Sequence, residues 1–178
     1  SGDQMLLVAE TDGEPVTKLY QLNKSVDGSW DYAAVLDHEI LVSQTWMAAS
    51  DDLMVFMVSD RVHNEGRGRV LVFERPSLDA VFTLRQTIAG EIAGGYMGNR
   101  VACTSDILAI NSLDFFPGPD TASLGYGIVD VYLRDATGVW VLSKTWTGTE
   151  DHQTLGSTLS MITLETGVVR LAISAPYY

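Results

Sequence analysis

Few side chains in this sequence could do chemistry, and none of them falls at a spacing that commits it to a reaction. The imidazoles are His38, His63 and His152, each in a polar context and no two at metal-ligand spacing. None adjoins a Ser or Cys in a nucleophile elbow, although a Ser–His–Asp triad assembles in space, so spacing alone leaves it open. Cys103, in "NRVACTSDILAI", is the single cysteine. It allows no intrachain disulfide and no Cys-based metal site, and its apolar neighbours predict a buried, inert thiol. Asp51-Asp52 is a carboxylate pair, but neighbours on a strand point to opposite faces, and in a tight turn they bond their own backbone. The glycine clusters "GRGRV" and "GGYMGNR" precede strand-like runs, whereas a phosphate loop needs a strand before it and a helix after it. Turn geometry accounts for them. No catalytic residue and no metal site is predicted, and the chain reads as non-enzymatic.

Charge narrows the partners. Eleven Lys+Arg stand against 23 Asp+Glu, a net charge of −12, and the one basic cluster is Arg61, Arg67 and Arg69 around His63. Nucleic-acid binding, which draws on many phosphate contacts, is not expected. No apolar run reaches the ~20 residues a spanning helix requires. Hydrophobic residues make up 46% of the chain, enough for an ordered core.

The elements that must position these groups repeat along the chain. "GSWDYAAVLDH" (28–38), "DAVFTLRQTIAG" (79–90) and "GVWVLSKTWTG" (138–148) align on Trp30, Phe82 and Trp140, with Leu36, Ile88 and Trp146 six residues on. Trp30, Trp140 and Trp146 alternate with strand periodicity and should pack between sheets. Upstream of each lies a strand-like run: "TKLYQL", "GRVLVF" and "GIVDVY". Before those come "LLVAE", "VFMVSD" and "LAINS", and the chain closes on a fourth copy, "LAISAP". Matching Val8, Val58, Ile110 and Ile173 gives steps of 50, 52 and 63 residues. Val, Ile, Thr, Tyr, Phe and Trp fill short runs between Gly, Asp, Asn and Ser, and no 3.6 period persists, so helix should be minor. The fold class is all-β. Four strands in each unit of about 50 to 60 residues fit propeller blades better than the rival antiparallel sandwich.

In these residues the chain resembles the FG-GAP repeats of the integrin α-chain propeller. Leu155-Gly156 stands for Phe-Gly, Ser174-Ala175-Pro176 for Gly-Ala-Pro, and "GYGIVDVY" with "GVWVLSKTWTG" for the two outer strands. Tyr96-Met97-Gly98 looks like Phe-Gly with one residue inserted, and Asn111-Ser112 replaces Gly-Ala. In the looser first copy Ala9-Glu10 and Ser59-Asp60 hold the Gly-Ala places, with Ser43-Gln44 as its Phe-Gly. The resemblance implies one propeller segment over 1–178, divided as a partial blade 1–38, blades 39–90 and 91–148, and a partial blade 149–178. Further blades from the same chain or another copy would complete a ring of about six to eight. Calcium is common in the family, but "AASDDLMV", "ACTSDILA" and "ITLETGVVRLA" lack its three spaced acidic ligands, so no cofactor is expected here.

Two connections between second and third strands exceed a turn: Arg61–Gly68 and Leu113–Gly127. In the family this connection lies on the face that meets protein ligands. The resemblance therefore points to Arg61, His63, Asn64, Arg67, Asp114, Phe115, Phe116 and Asp120 as ligand-binding residues. It implies a recognition or adhesion scaffold for protein or glycan, extracellular or at the cell surface. An accessory propeller of a larger enzyme, of phospholipase type, and a purely structural assembly subunit are the alternatives.

Overall fold

The computed structural model describes residues 4–10, 16–25, 27–41, 46–112, 125–150 and 154–175. Within them the β-branched and aromatic runs become strands and the Gly-, Asp- and Ser-containing breaks become turns. The strands are β1 (Gln4–Glu10), β2 (Val16–Lys24), β3 (Trp30–Leu41), β4 (Met47–Ala49), β5 (Val55–Asp60), β6 (Arg69–Glu74) and β7 (Thr83–Ala89). They continue as β8 (Met97–Cys103), β9 (Ile107–Ser112), β10 (Ile128–Arg134), β11 (Trp140–Thr147), β12 (Leu159–Thr163) and β13 (Val169–Ile173). A single helical turn, α1 (His63–Gly66), joins β5 to β6. The protein is all-β, and none of its described helices is long and apolar enough to cross a membrane.

Every strand pairs antiparallel with its neighbour in sequence, giving the sheets β1-β2-β3, β4-β5-β6-β7, β8-β9-β10-β11 and β12-β13. The second sheet is sandwiched. All six residues of β5 are buried, as a near-continuous apolar run requires when both faces are covered. On one side Phe56 and Val58 join Leu71, Phe73 and Phe82 against Leu19 and Leu36 of the first sheet. Phe56 stacks on Phe73 at 4.6 Å and meets Phe82 edge-on at 4.7 Å. On the other side Val55, Met57, Val70, Val72 and Ile88 pack against Met97, Val101, Cys103, Leu108, Ile110 and Trp140 of the third sheet.

Two glutamines lock the stack at the aromatic positions that mark the repeat. The Gln21 amide accepts from Phe82 N at 3.1 Å and donates to Ala80 O at 3.3 Å. Gln86 likewise accepts from Trp140 N at 2.9 Å and donates to Trp140 O at 3.0 Å. Trp140 is buried as its periodicity predicts, and Phe82 is buried with it. Trp30 and Trp146, which the same pattern would place between sheets, are instead 42% and 39% exposed. Trp146 lies on β11, an edge strand of the third sheet.

Glycine sets how close the sheets come. A Cβ on Gly68 would lie 2.2 Å from Met97 O, and one on Gly127 would lie 2.3 Å from Leu155 O. Met97 N donates to Arg67 O at 3.1 Å and Leu155 N to Tyr126 O at 3.0 Å, so the same backbone clasp occurs twice. One residue on, a Cβ on Gly98 would meet Ser59 Cβ at 2.6 Å, and one on Gly156 would meet Asn111 Nδ2 at 2.6 Å. Tyr96 (φ 47°) and Thr154 (φ 44°) precede them in matching left-handed conformations. Met97-Gly98 therefore superposes on Leu155-Gly156 with no inserted residue, which corrects the alignment expected from sequence.

Two measurements test this packing. Gly28 (φ +87°) and Gly98 (φ +89°) share a left-handed backbone, yet nothing lies within 4 Å of a Cβ on Gly28. Gly28→Ala should cost about 1–2 kcal/mol from conformation alone. Gly98→Ala should lose roughly a further 1–3 kcal/mol to overpacking, read by urea denaturation; equal losses would refute close sheet contact at Gly98. Gln86→Ala strands both backbone groups of Trp140 and should cost about 1–3 kcal/mol, whereas an exposed neighbour such as Thr87→Ala should change stability by about 0.5 kcal/mol or less.

Candidate functional site

The β5–β6 connection is built from conformations that side chains normally avoid. Asn64 (φ 52°) and Glu65 (φ 60°) precede Gly66 (φ 72°), so the single turn is left-handed over three residues. Backbone bonds hold it: Gly68 N donates to His63 O at 3.0 Å and Arg67 N to Asn64 O at 3.1 Å. Left-handed backbone costs a side-chain-bearing residue roughly 1–2 kcal/mol, so the surrounding contacts must over-determine it.

Those contacts come from a buried polar network at the ends of β5, β8 and β9. Asp60 is fully buried and pairs with Arg69, whose Nη2 and Nε donate to Oδ2 at 3.0 and 3.2 Å. His63 Nδ1 lies 3.8 Å from the same oxygen. Arg61 turns inward, donating from Nη1 to Asn99 Oδ1 at 2.6 Å with its guanidinium over the Tyr96 ring. Asn99 Nδ2 donates to Asn111 Oδ1 at 3.1 Å, and Asn111 Nδ2 donates to Ile128 O at 3.0 Å and Leu155 O at 2.8 Å. The loop, the third sheet and the next seam are thereby one hydrogen-bonded unit.

Beside the loop, between the outer strands of the second and third sheets, opens a cleft of about 270 Å³. Arg67, Glu91, Asp130, Tyr132 and Thr145 bring polar groups to it, and Ile92, Met97, Ile128 and Leu142 give it apolar walls. The Arg67 guanidinium donates to Glu91 O, tying the loop to the opposite rim. Thr145 Oγ1 donates to Asp130 Oδ1 at 2.6 Å. Burial, reinforced by the nearby Glu91 carboxylate, pushes the Asp130 carboxyl above its ordinary value against the pull of that hydrogen bond. Burial, with Asp130 and Glu91, raises the Tyr132 phenol to about 12, so it stays a neutral donor. The cleft thus offers a carboxyl, a phenol and a hydroxyl between apolar walls, a set suited to orienting a polar ligand.

The structure gathers Arg61, His63, Asn64 and Arg67 on the one connection but gives them different tasks. Arg61 turns away from the cleft to Asn99, Asn64 is exposed, His63 faces Asp60, and Arg67 reaches the cleft. Asp114, Phe115, Phe116 and Asp120 lie outside the described residues. Asp52 accepts from Met54 N at 3.1 Å and Ser50 Oγ at 2.6 Å, the turn role read from sequence, and also from Ser105 Oγ at 2.6 Å across sheets. Cys103 is buried and its thiol is pushed up to about 12, chiefly by desolvation. Among the described residues no cluster of three or more His, Cys, Asp or Glu could hold a metal ion. Asp130, Tyr132 and Thr145 had no signal in sequence beyond alternating along "GIVDVY" and "WVLSKTWT", because the cleft exists only when two sheets stack.

Comparison with protein-family models and with curated proteins finds no match to this chain. Its internal repeat and its own geometry carry the functional reading.

The raised Asp130 carboxyl has a pH consequence. The folded chain holds this proton more tightly than the unfolded chain, so stability from the group is present at low pH and lost as pH rises through the raised value. Asp130→Asn should match the parent below about pH 4 and become progressively more stable than it above that. Parallel denaturation profiles across pH 3 to 8, on the order of the carboxylate titration range, would contradict the assignment.

Proposed function

We propose that the stacked sheets are successive FG-GAP-type propeller blades and that the chain is a non-enzymatic recognition scaffold. Its ligand, a protein or glycan met outside the cell or at its surface, docks on the face carrying the β5–β6 connection. The recurrent backbone clasp at Gly68–Met97 and Gly127–Leu155 supports the blade reading, because it joins the second sheet to the third and the third to the fourth in one way. One observation carries the recognition reading: the strained loop and the cleft are a single pre-organised surface. Arg67 spans both, and its tether to Glu91 holds loop and rim in place before any ligand arrives. Pre-organisation of this kind lowers the entropic cost of binding.

A printed panel of neutral glycans and of peptides, probed with the purified chain, tests this. Leu142 is 51% exposed and lines the cleft, so Leu142→Arg should fill the cleft while leaving the core alone. Binding found on the panel should weaken about tenfold or more in the variant, with its unfolding midpoint unchanged. Absence of any specific binding, or binding indifferent to the substitution, would overturn the reading.

A further inference from the structure

Arg61 and Arg100 form a second feature, set apart from the Asp130 side of the cleft. Both guanidiniums converge on Asn99: Arg61 Nη1 donates to its side-chain Oδ1 at 2.6 Å, and Arg100 Nη1 to its backbone O at 2.7 Å. Each is also laid on an aromatic ring. Arg100 sits 3.8 Å from the Trp46 ring centroid, and Arg61 sits 5.5 Å from that of Tyr96. Among the described residues no carboxylate forms an ion pair with either guanidinium, although Arg69 and Arg134 both have one. The Arg61 Nε–H is buried without a partner. The two charges are close enough to oppose each other: burial first, and Arg61 second, lower the pKa of Arg100.

Two like charges held together by rings and an amide, in a chain of net charge −12, are a costly arrangement unless an anion completes it. The planar donor forks match a carboxylate better than a spherical ion. Beside them Trp46 is 44% exposed, so the residue that carries Arg100 is itself open to a ligand. An apolar platform next to a paired guanidinium fits the CH face of a sugar ring whose carboxylate reaches the charges. We infer that Arg61, Arg100 and Trp46 form a subsite for a carboxylated saccharide, of the uronic-acid class. Asn99 is its positioning residue, fixing both forks from one side chain and one carbonyl. The subsite does not depend on the cleft being occupied.

The test titrates the whole chain with a short polyuronate oligosaccharide and with a neutral oligosaccharide of equal length, by calorimetry at low salt. The polyuronate should bind saturably and the neutral sugar should not. Added salt should weaken the complex, since charge–charge contacts are screened. Arg100→Gln should weaken binding about tenfold or more, and Arg100→Lys, which keeps charge but loses the fork, should fall between. Trp46→Ala should weaken the polyuronate but leave any weak binding of free acetate unchanged. Leu142→Arg, which blocks the cleft, should leave polyuronate binding intact, so this result separates failure of the subsite from failure of the cleft. No saturable polyuronate binding, equal affinity in Arg100→Gln with the fold intact by circular dichroism, or equal binding of a polyglutamate peptide would overturn the inference. If Arg100→Gln fails to fold, the Arg100→Lys and Trp46→Ala comparisons decide it, and unchanged affinity in both would overturn it.

Discussion

The architecture depends on backbone touching backbone between consecutive sheets. At Gly68 and again at Gly127 the chain approaches the next unit so closely that a methyl group would collide with a carbonyl oxygen. Hydrophobic burial supplies most of the driving force for stacking, but it is non-directional and would accept many sheet spacings. The clasp selects one. Main-chain N–H and C=O groups at sheet ends, which would otherwise face their neighbours unpaired, are satisfied there, and only glycine leaves room for the approach. With the spacing of the second and third sheets fixed, Met57 and Val72 can interlock with Ile110, while Phe56, Phe73 and Phe82 fill the opposite face of the second sheet against Leu19 and Leu36. The glutamine amides then tie each aromatic anchor to the preceding sheet.

The same constraint makes the candidate site. Because Gly66-Arg67-Gly68 must deliver the chain to the clasp, the residues before it are forced into a left-handed turn, and Arg67 is set at the cleft mouth. Close sheet approach at the inner strands leaves a gap at the outer ones, where Asp130, Tyr132 and Thr145 face Glu91. The raised pKa values of Asp130 and Tyr132 in that gap and the like-charged guanidiniums at Asn99 share one origin. Polar groups lie where the fold, rather than their own preference, puts them.

Much of the fold was legible because strands carry their signal locally. "VFMVSD" reads as a strand and is one, and Trp140 is buried where its periodicity puts it. The stacked sheets are three-, four-, four- and two-stranded, in the order the repeat predicts. Trp146 misled because burial of its face needs a neighbouring sheet, which no local pattern reports. Met97-Gly98 was misaligned because the aromatic Tyr96 resembled the Phe of Phe-Gly, whereas position in the clasp belongs to Met97. The site was half legible: loop length and the glycines flagged Arg61 to Gly68, but the partners Asn99, Asn111 and Asp130 come from other strands. Such partners are set by stacking, and stacking is encoded in which residues are absent, above all a Cβ at Gly68 and Gly127.

Backbone amide hydrogen exchange, followed residue by residue by NMR, tests the clasp most directly. The Met97 and Leu155 amides lie at the starts of their units and bond across to the preceding sheet, so sheet stacking protects them. Both should exchange as slowly as Val58 and Ile110 at the centres of their strands. Exchange of Met97 and Leu155 as fast as the exposed turn amides, while Val58 and Ile110 stay protected, would mean that the sheets form without the clasp.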